Sequence, residues 1–179
     1  MTEIRAICET DGSLLRTLHL RMYADSPDAF SETLDAARAL TPPEWEARAQ
    51  RFAGASNAIA FAALEEQQPV GFIAGYVGRF HNGAMGRDPG DTVTLARAWV
   101  DPAFRRRGVG RRLVEAGRSW AREREAKTLA VQVTENNGPA IGVYAKLGFV
   151  DTGRREPLLS NPSLQIHFLS QPLQAEGDR

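Results

Sequence analysis

The sequence predicts one mixed α/β domain, with a central and mostly antiparallel sheet of six to seven strands flanked by about four helices. The chain has 179 residues, which suits a single domain that can bury a core. Its pattern runs strand, two helices, three strands, and then helix, strand, helix and closing strands, with no repeat or linker. We expect the domain to span residues 1–170 and residues 171–179 to form a flexible C-terminal tail.

The first part of the chain predicts one short strand and two helices. Residues 3–7, EIRAI, alternate charged and apolar side chains at their start and predict a short strand. Asp11 is a favoured helix cap, and apolar residues recur after it at a spacing of four, at Leu14, Leu18 and Met22. Residues 41–44, Thr-Pro-Pro-Glu, make a capping box with proline at the first helical position. Residues 25–40 are mixed, and we expect them to cover an opening.

The middle of the chain is dominated by strand patterns. Residues 58–64 and 69–77 are apolar runs separated by a short polar segment, which predicts a strand, a tight turn and a strand. Residues 79–91 contain three glycines and a proline, so we expect a loop. In residues 91–100 the apolar Val93 and Leu95 alternate with threonines, which predicts a third strand in this part of the chain.

The last part predicts an alternation of helices and strands. A helix is expected from about Val109 to Glu125, with an apolar stripe on one side. The segments that follow predict, in order, a strand, a short helix and two closing strands: residues 128–133, 136–148, 149–155 and 163–169.

Composition excludes several classes of function. Lys plus Arg and Asp plus Glu both number 22, so no global charge points to nucleic acid or an anionic membrane. Cys8 is the only cysteine, and the three histidines follow no ligand spacing, which predicts no internal disulfide and no metal site. The sequence shows neither a leader pattern nor an apolar stretch of membrane-spanning length, and we expect a cytoplasmic protein.

The most informative segment is residues 101–113, DPAFRRRGVGRRL, between the third middle strand and a helix. A helix start offers unpaired backbone N–H groups and a partial positive charge. Gly108 and Gly110 leave room for a phosphate to approach, and five arginines add positive charge. Most helices prefer acidic residues there, so the basic cluster indicates a bound polyphosphate, a solvated basic loop being the alternative.

Spacing distinguishes the kinds of polyphosphate site. A Walker A loop would need a lysine and a hydroxyl that are absent, and a dinucleotide fingerprint would need glycine at Leu113. Residues 105–110, RRRGVG, fit Arg/Gln-x-x-Gly-x-Gly/Ala after the Trp-Val-Asp-Pro of residues 99–102. Residues 137–149, NGPAIGVYAKLGF, fit Asn-x-x-Ala-x-x-x-Tyr-x-x-x-Gly-Phe. With these motifs the chain resembles the GCN5-related N-acetyltransferase (GNAT) superfamily.

The resemblance implies acetyl-CoA as cosubstrate, lying between two strands that part. It implies that the Val100 backbone N–H binds the thioester carbonyl and that the Tyr144 hydroxyl protonates the departing thiolate. These two are therefore the expected catalytic residues. The residues that it implies for cofactor binding are Trp99, Val100, Arg105, Arg106, Arg107, Gly108, Val109, Gly110, Arg111, Asn137, Ala140 and Tyr144.

Each role has a plainer alternative. Val100 could be an ordinary buried strand residue, and Asn137 could be only the cap of the helix that carries Tyr144. A tyrosine on an amphipathic helix is more often a half-buried anchor than a catalyst. Cys8 has no visible base, and no nucleophile elbow is present, so nucleophilic catalysis finds no support.

The function that follows from the resemblance is N-acyl transfer, most simply acetyl transfer by direct attack of an amine through a ternary complex. The amine must lose a proton to a carboxylate or a water, and Glu32, Asp28 and Asp91 are the carboxylates considered, with none singled out. Alternatives are an inactive CoA-binding regulator and a nucleic-acid-binding module. The acceptor stays open among small amines, antibiotics, amino-acid analogues, and protein N-termini or lysines. We expect neither a membrane nor a nucleic-acid partner, and a homodimer is common among similar proteins.

Overall fold

A computed structural model describes the backbone of residues 1–78, 80–81, 84–85 and 91–173, and the side chains of residues 1–78 and 91–173. Short 3₁₀ turns occupy Pro27–Ala29 and Pro102–Phe104. The helices are α1 Gly12–Asp25, α2 Leu34–Ala39, α3 Pro42–Gly54, α4 Val109–Glu123 and α5 Gly138–Lys146. The strands are β1 Glu3–Ala6, β2 Ala58–Glu65, β3 Gln68–Val77, β4 Phe80–His81, β5 Ala84–Met85, β6 Thr92–Val100, β7 Thr128–Thr134, β8 Val150–Leu158 and β9 Asn161–Pro172.

The main sheet has seven strands in the order β1-β2-β3-β6-β7-β9-β8. Every neighbouring pair in it is antiparallel except β6 with β7, which are parallel and joined by the crossover through α4. The predicted mixed α/β class and mostly antiparallel sheet are confirmed. The described residues hold five α-helices, one more than the sequence predicted, because the mixed segment before residue 41 contains the short helix α2.

Helices cover the sheet on both faces. Helices α1, α2 and α3 pack on one face, where Leu15, Trp45 and Phe72 belong to one buried apolar cluster. Helices α4 and α5 pack on the other face, where Leu113 and Tyr144 belong to a second cluster. Burial of this apolar surface is the main driving force that holds the helices to the sheet.

The β2–β3 hairpin shows how local sequence sets the register. Glu66 and Gln67 form the two-residue turn, with φ of 49° and 68°. Two left-handed residues give a turn whose twist matches that of the flanking strands, although glycine and asparagine are the usual residues there. The predicted strand, tight turn and strand are confirmed.

Four details differ from the sequence predictions. Asp11 stands at the N-cap position of α1, but its carboxylate accepts hydrogen bonds from Arg5 and the Cys8 backbone N–H instead of capping the helix. Within the expected loop at residues 79–91, β4 and β5 pair as a short antiparallel ladder. Helix α4 ends at Glu123, and β9 continues to Pro172, past the expected domain boundary. Residues 174–179 of the expected tail lie outside the described residues.

Among the helices that the structure describes, none is both long enough and apolar enough to cross a membrane.

Candidate active site

The site begins where the two parallel strands separate. β6 and β7 are paired from Thr92 with Thr128 to Leu95 with Val131, and each strand then continues without the other. Their carboxyl ends lie at the same edge of the sheet because the strands are parallel. A gap therefore opens between the last residues of β6 and those of β7.

A β-bulge in β6 accompanies the separation. On the β3 side Phe72 pairs with Trp99 and Ala74 pairs with Ala96, so Arg97 and Ala98 both lie opposite Ile73. Arg97 has φ of 58°, in the left-handed region. A bulge bends the strand that carries it and re-aims the side chains at that point. The bulge thus falls just past the point where β6 leaves β7.

The start of α4 presents free backbone donors at the same edge. Gly108 has φ of 80°, which a residue without Cβ adopts at little cost, and it precedes the helix. The first turn of a helix has no intrahelical acceptors for its N–H groups, and here these groups belong to Val109, Gly110 and Arg111. The partial positive charge of the helix start adds to them, so this end of α4 can bind an anion.

The arginines around this helix start do not all have the same freedom. Arg105 donates to the Val100 carbonyl at 2.9 Å and pairs with Asp25. Arg107 lies over the Phe104 ring, 5.0 Å from its centroid. The exposed Arg106 and Arg111 have no hydrogen bond or ion pair with any residue that the structure describes. These two are therefore the arginines most available to a phosphate.

Gly110 has room for a side chain as far as the fold itself is concerned. A Cβ added there would meet only the Val100 side chain, at an ordinary contact distance of 3.6 Å. Packing within the protein does not demand glycine at this position. A close approach by a ligand would supply the reason for it.

At the end of β6, the antiparallel ladder orients the Val100 backbone. The Asp101 N–H donates to the Val70 carbonyl at 2.9 Å, which makes Asp101 and Val70 a hydrogen-bonded pair. Hydrogen-bonded and non-hydrogen-bonded pairs alternate in an antiparallel ladder, so the next pair, Val100 with Gly71, is not hydrogen-bonded. Val100 therefore directs its N–H and carbonyl away from β3. The bond from Arg105 to the Val100 carbonyl agrees with this orientation. Trp99 is instead buried in the core, and its indole N–H donates to Asp25 at 2.8 Å.

Helix α5 brings the second predicted group to the face that α4 covers. Asn137 caps the helix by accepting the Ala140 N–H at 3.2 Å, and its expected contact with the cofactor stays a prediction. Tyr144 lies in the same buried cluster as Val109, and its ring packs edge-on against Phe149 with centroids 5.7 Å apart. Burial raises the pKa of Tyr144 to about 12. Its hydroxyl has no hydrogen-bond partner among the described residues.

A cleft lies beside the gap, between the segment after α1 and the ends of β6 and β7. Its walls are made by Ala29, Phe30, Ser31, Glu32, Ala96, Arg97, Gln132, Val133, Thr134, Leu158 and Ile166. Of the three carboxylates considered as bases, Glu32 lies in this wall. Asp28 is exposed and accepts from Asn161. Asp91 precedes β6, at the end of that strand opposite the gap, and pairs with Lys127.

Glu32 is held as an anion by its neighbours. Arg48 donates to both carboxylate oxygens, at 2.7 and 3.0 Å, and the Tyr23 hydroxyl donates at 2.8 Å. Burial alone would raise the pKa of Glu32, but these hydrogen bonds and the positive charge of Arg48 outweigh it and lower the pKa to about 2. Sequence inspection missed this network because its members come from separate elements. The one local signal was Arg97, a lone charge within an apolar strand.

Comparison with known proteins places these features in a family. The family model described as the acetyltransferase (GNAT) family matches residues 20–149. The chain belongs to the GNAT family. The matched range includes the separation of β6 and β7, the arginine-glycine turn and α5, so the family suggested by the two motifs is confirmed.

Curated relatives of this GNAT chain act on different acceptors according to their names. Peptidyl-lysine N-acetyltransferase YjaB from Escherichia coli is 38% identical over 95 residues, which cover 53% of this chain and 51% of that protein. Aminoglycoside N(6')-acetyltransferase type 1 from Salmonella typhimurium is 28% identical over 100 residues, covering 56% of this chain and 68% of that protein. The chain therefore spans about half the length of the first of these relatives.

Solved GNAT structures share the fold. An acetyltransferase of the GNAT family from Streptococcus pneumoniae superposes with a TM-score of 0.76 at 18% identity, over 97% of this chain and all of that one. The Salmonella typhimurium protein yncA, solved with its cofactor acetyl-CoA, superposes with a TM-score of 0.73 at 18% identity, over 100% of this chain and 98% of that one. These likenesses confirm the predicted single-domain architecture.

Proposed function

We propose that the protein is an acetyl-CoA-dependent N-acetyltransferase in which an acceptor amine attacks the thioester directly in a ternary complex. One observation carries the proposal within the GNAT family. The parallel strands β6 and β7 part at the same sheet edge where α4 begins, with free N–H groups and with two arginines that pair with no described residue. The site for a polyphosphate ligand and the cleft for a second substrate then lie at the same edge of the sheet.

The residues present fit the phosphates of acetyl-CoA. The N–H groups of Val109, Gly110 and Arg111 are available to a phosphate at the helix start, and the open space at Gly110 allows close approach. Arg106 and Arg111 supply charge without first breaking an ion pair, whereas Arg105 would have to leave Asp25. The roles expected for the remaining motif residues, including Asn137 and Ala140, stay predictions.

The chemistry assigned to the chain has two parts. When bound, acetyl-CoA supplies an acetyl thioester whose carbon–sulfur bond breaks as the new carbon–nitrogen bond forms. We assign stabilisation of the negative charge on the carbonyl oxygen to the Val100 N–H, a role that its direction away from β3 supports. The Tyr144 hydroxyl donates a hydrogen bond to the departing sulfur, which leaves as a thiolate and takes a proton from solvent, and the amine gives up its own proton to water.

The three carboxylates do not suit the role of general base. Glu32 has a pKa of about 2 and is engaged by Arg48, so it accepts a proton poorly near neutral pH. Asp91 stands at the wrong end of β6, and Asp28 bonds Asn161 on the surface. We therefore assign proton removal to water in the cleft.

The proposal is tested by an acceptor screen in which free thiol released from acetyl-CoA is measured. The panel holds free amino acids, an aminoglycoside and a lysine-containing peptide, with acetyl-CoA binding measured on the same protein. Thiol release with at least one amine is expected. Tight acetyl-CoA binding without release for any amine would favour the inactive regulator instead. A cytoplasmic location and a homodimer stay predictions.

A further inference from the structure

Arg97 occupies a costly backbone position in the wall of the cleft. It lies in the β6 bulge with φ of 58°, a conformation that a long side chain rarely adopts. Such positions persist where the surrounding fold enforces them, and they cluster at functional sites. Glycine or asparagine would suit this backbone better, so the presence of arginine points to a use for the guanidinium.

The guanidinium of Arg97 is also poorly satisfied. Only 26% of its side chain is exposed, and its nearest carboxylate contact among the described residues is Nη1 to Glu32 Oε2 at 3.9 Å, beyond hydrogen-bond reach. Arg48 and Tyr23 already occupy that carboxylate with short bonds. Arg97 has five N–H donors and no hydrogen bond to any residue that the structure describes. A mostly buried guanidinium with one long ion-pair contact, and with no hydrogen bond to the described residues, has donors left over for a ligand.

A second polar group in the same wall lacks a partner. The Thr134 hydroxyl at the end of β7 is buried and has no hydrogen-bond partner among the described residues. Thr134 and Arg97 lie on the two strands that part, and both line the cleft. Two unsatisfied polar groups from opposite sides of the gap thus face one space, which is the pattern of a binding site for a polar ligand.

The charge in this wall favours an anionic ligand group. One carboxylate, Glu32, meets two arginines, Arg48 and Arg97, so the network carries a net positive charge. A polycationic acceptor would be repelled by Arg97. A carboxylate would match the planar fork of the guanidinium with two charge-assisted hydrogen bonds.

We propose that Arg97 binds a carboxylate of the acceptor, and that the acceptor is a small amine that carries a carboxylate, such as a free amino acid or a close analogue. Thr134 donates a further hydrogen bond to the same ligand. The inference rests on the proposed acetyltransferase function and narrows its acceptor class.

The test compares matched acceptors on the wild-type protein. The standard amino acids are assayed as free acids beside their carboxamides, with an aminoglycoside and a lysine-containing peptide in the same screen. We expect at least one free acid to react with kcat/KM at least about 30-fold above its amide, because a charge-assisted pair is lost with the amide. This comparison needs no variant and is independent of any folding defect.

Variants then assign the preference to one residue. Arg97→Gln should lower kcat/KM for the acid by about 30-fold or more and for the amide by less than about threefold. Arg97→Lys keeps the charge but lacks the planar guanidinium, so its kcat/KM for the acid should lie between those of the wild type and Arg97→Gln. Arg51→Gln is the matched control, since Arg51 is an exposed arginine on α3 outside the cleft wall, and it should change neither substrate.

Equal use of acids and amides by the wild type would overturn the inference, as would equal losses for both in Arg97→Gln. A screen in which only the aminoglycoside or the peptide reacts would overturn it too, while leaving the acetyltransferase function intact. Absence of thiol release from every amine would contradict the function itself.

Discussion

Replacement of Tyr144 by phenylalanine removes one hydroxyl and keeps the ring against Phe149. Burial raises the pKa of Tyr144 to about 12, so the hydroxyl is protonated at every pH at which the enzyme would be assayed. An ordinary thiol has a pKa of about 8.5, so complete transfer of the phenol proton to a thiolate would be uphill by about 3.5 pKa units, or about 5 kcal/mol. Tyr144 is therefore expected to act through a hydrogen bond that strengthens as negative charge develops on sulfur.

A hydrogen bond to a charged group contributes about 1.5–3 kcal/mol. Turnover of Tyr144→Phe should therefore fall by about 10- to 100-fold. The hydroxyl has no partner among the described residues, so the melting temperature should change by no more than about 2 °C, and acetyl-CoA affinity should be unchanged. The ratio of wild-type to variant turnover should be constant from about pH 7 to 10, because Tyr144 does not titrate there.

The assay is steady-state thiol release with any accepted amine, alongside a thermal melt and an acetyl-CoA titration of the same preparation. Turnover within about twofold of wild type, in a variant with an unchanged melt, would make Tyr144 a packing residue and refute its assignment as the hydrogen-bond donor to the departing sulfur.

Three further predictions concern the phosphate turn and the cleft. Gly110→Val should abolish acetyl-CoA binding in calorimetry, while Gly110→Ala should retain most of it because a single Cβ fits beside Val100. Equal acetyl-CoA affinity of the two variants would show that this turn does not bind the cofactor. Arg106→Ala and Arg111→Ala should weaken CoA binding more at low salt and leave binding of a pantetheine fragment unchanged. Arg122→Ala, which removes an exposed arginine from the last turn of α4, is the control, and equal losses for CoA and the fragment would indicate a folding effect. The pKa of Glu32 is lowered from 4.5 to about 2, so its contribution to the unfolding free energy, on the order of 3 kcal/mol, is present above about pH 4.5 and lost as the pH falls toward 2. The stability gap between wild type and Glu32→Gln in urea should narrow from pH 6 to pH 3, and a constant gap would contradict the ion-pair assignment.

The features that the sequence predicted well are those that depend on contiguous residues. The β2–β3 hairpin, the capped start of α3 and the strand–turn–helix around Gly108 each depend on neighbours in the chain, and all three are present. The GNAT motifs are of the same kind, since each lies on one stretch of the chain. Local patterning is sufficient for such features because backbone conformation and side-chain period are decided within a few residues.

Features that depend on distant partners were not predictable in this way. Five arginines looked equivalent in the sequence, but Arg105 is held by Asp25, 80 residues away, while Arg106 has no described partner. Glu32 looked like a candidate base until Arg48 was seen to occupy both of its oxygens. No glycine or other turn residue marks the bulge at Arg97 in the sequence, because the surrounding sheet imposes that backbone conformation.

The central claim is direct transfer of an acetyl group from acetyl-CoA to an amine, and its most direct test is mass spectrometry of a reaction run with trideuteroacetyl-CoA. The account predicts one labelled acetyl group on the nitrogen of the acceptor for each free thiol released, with no label retained on the protein. Thiol release without labelled acceptor, or stable labelling of the protein as an intermediate, would contradict it.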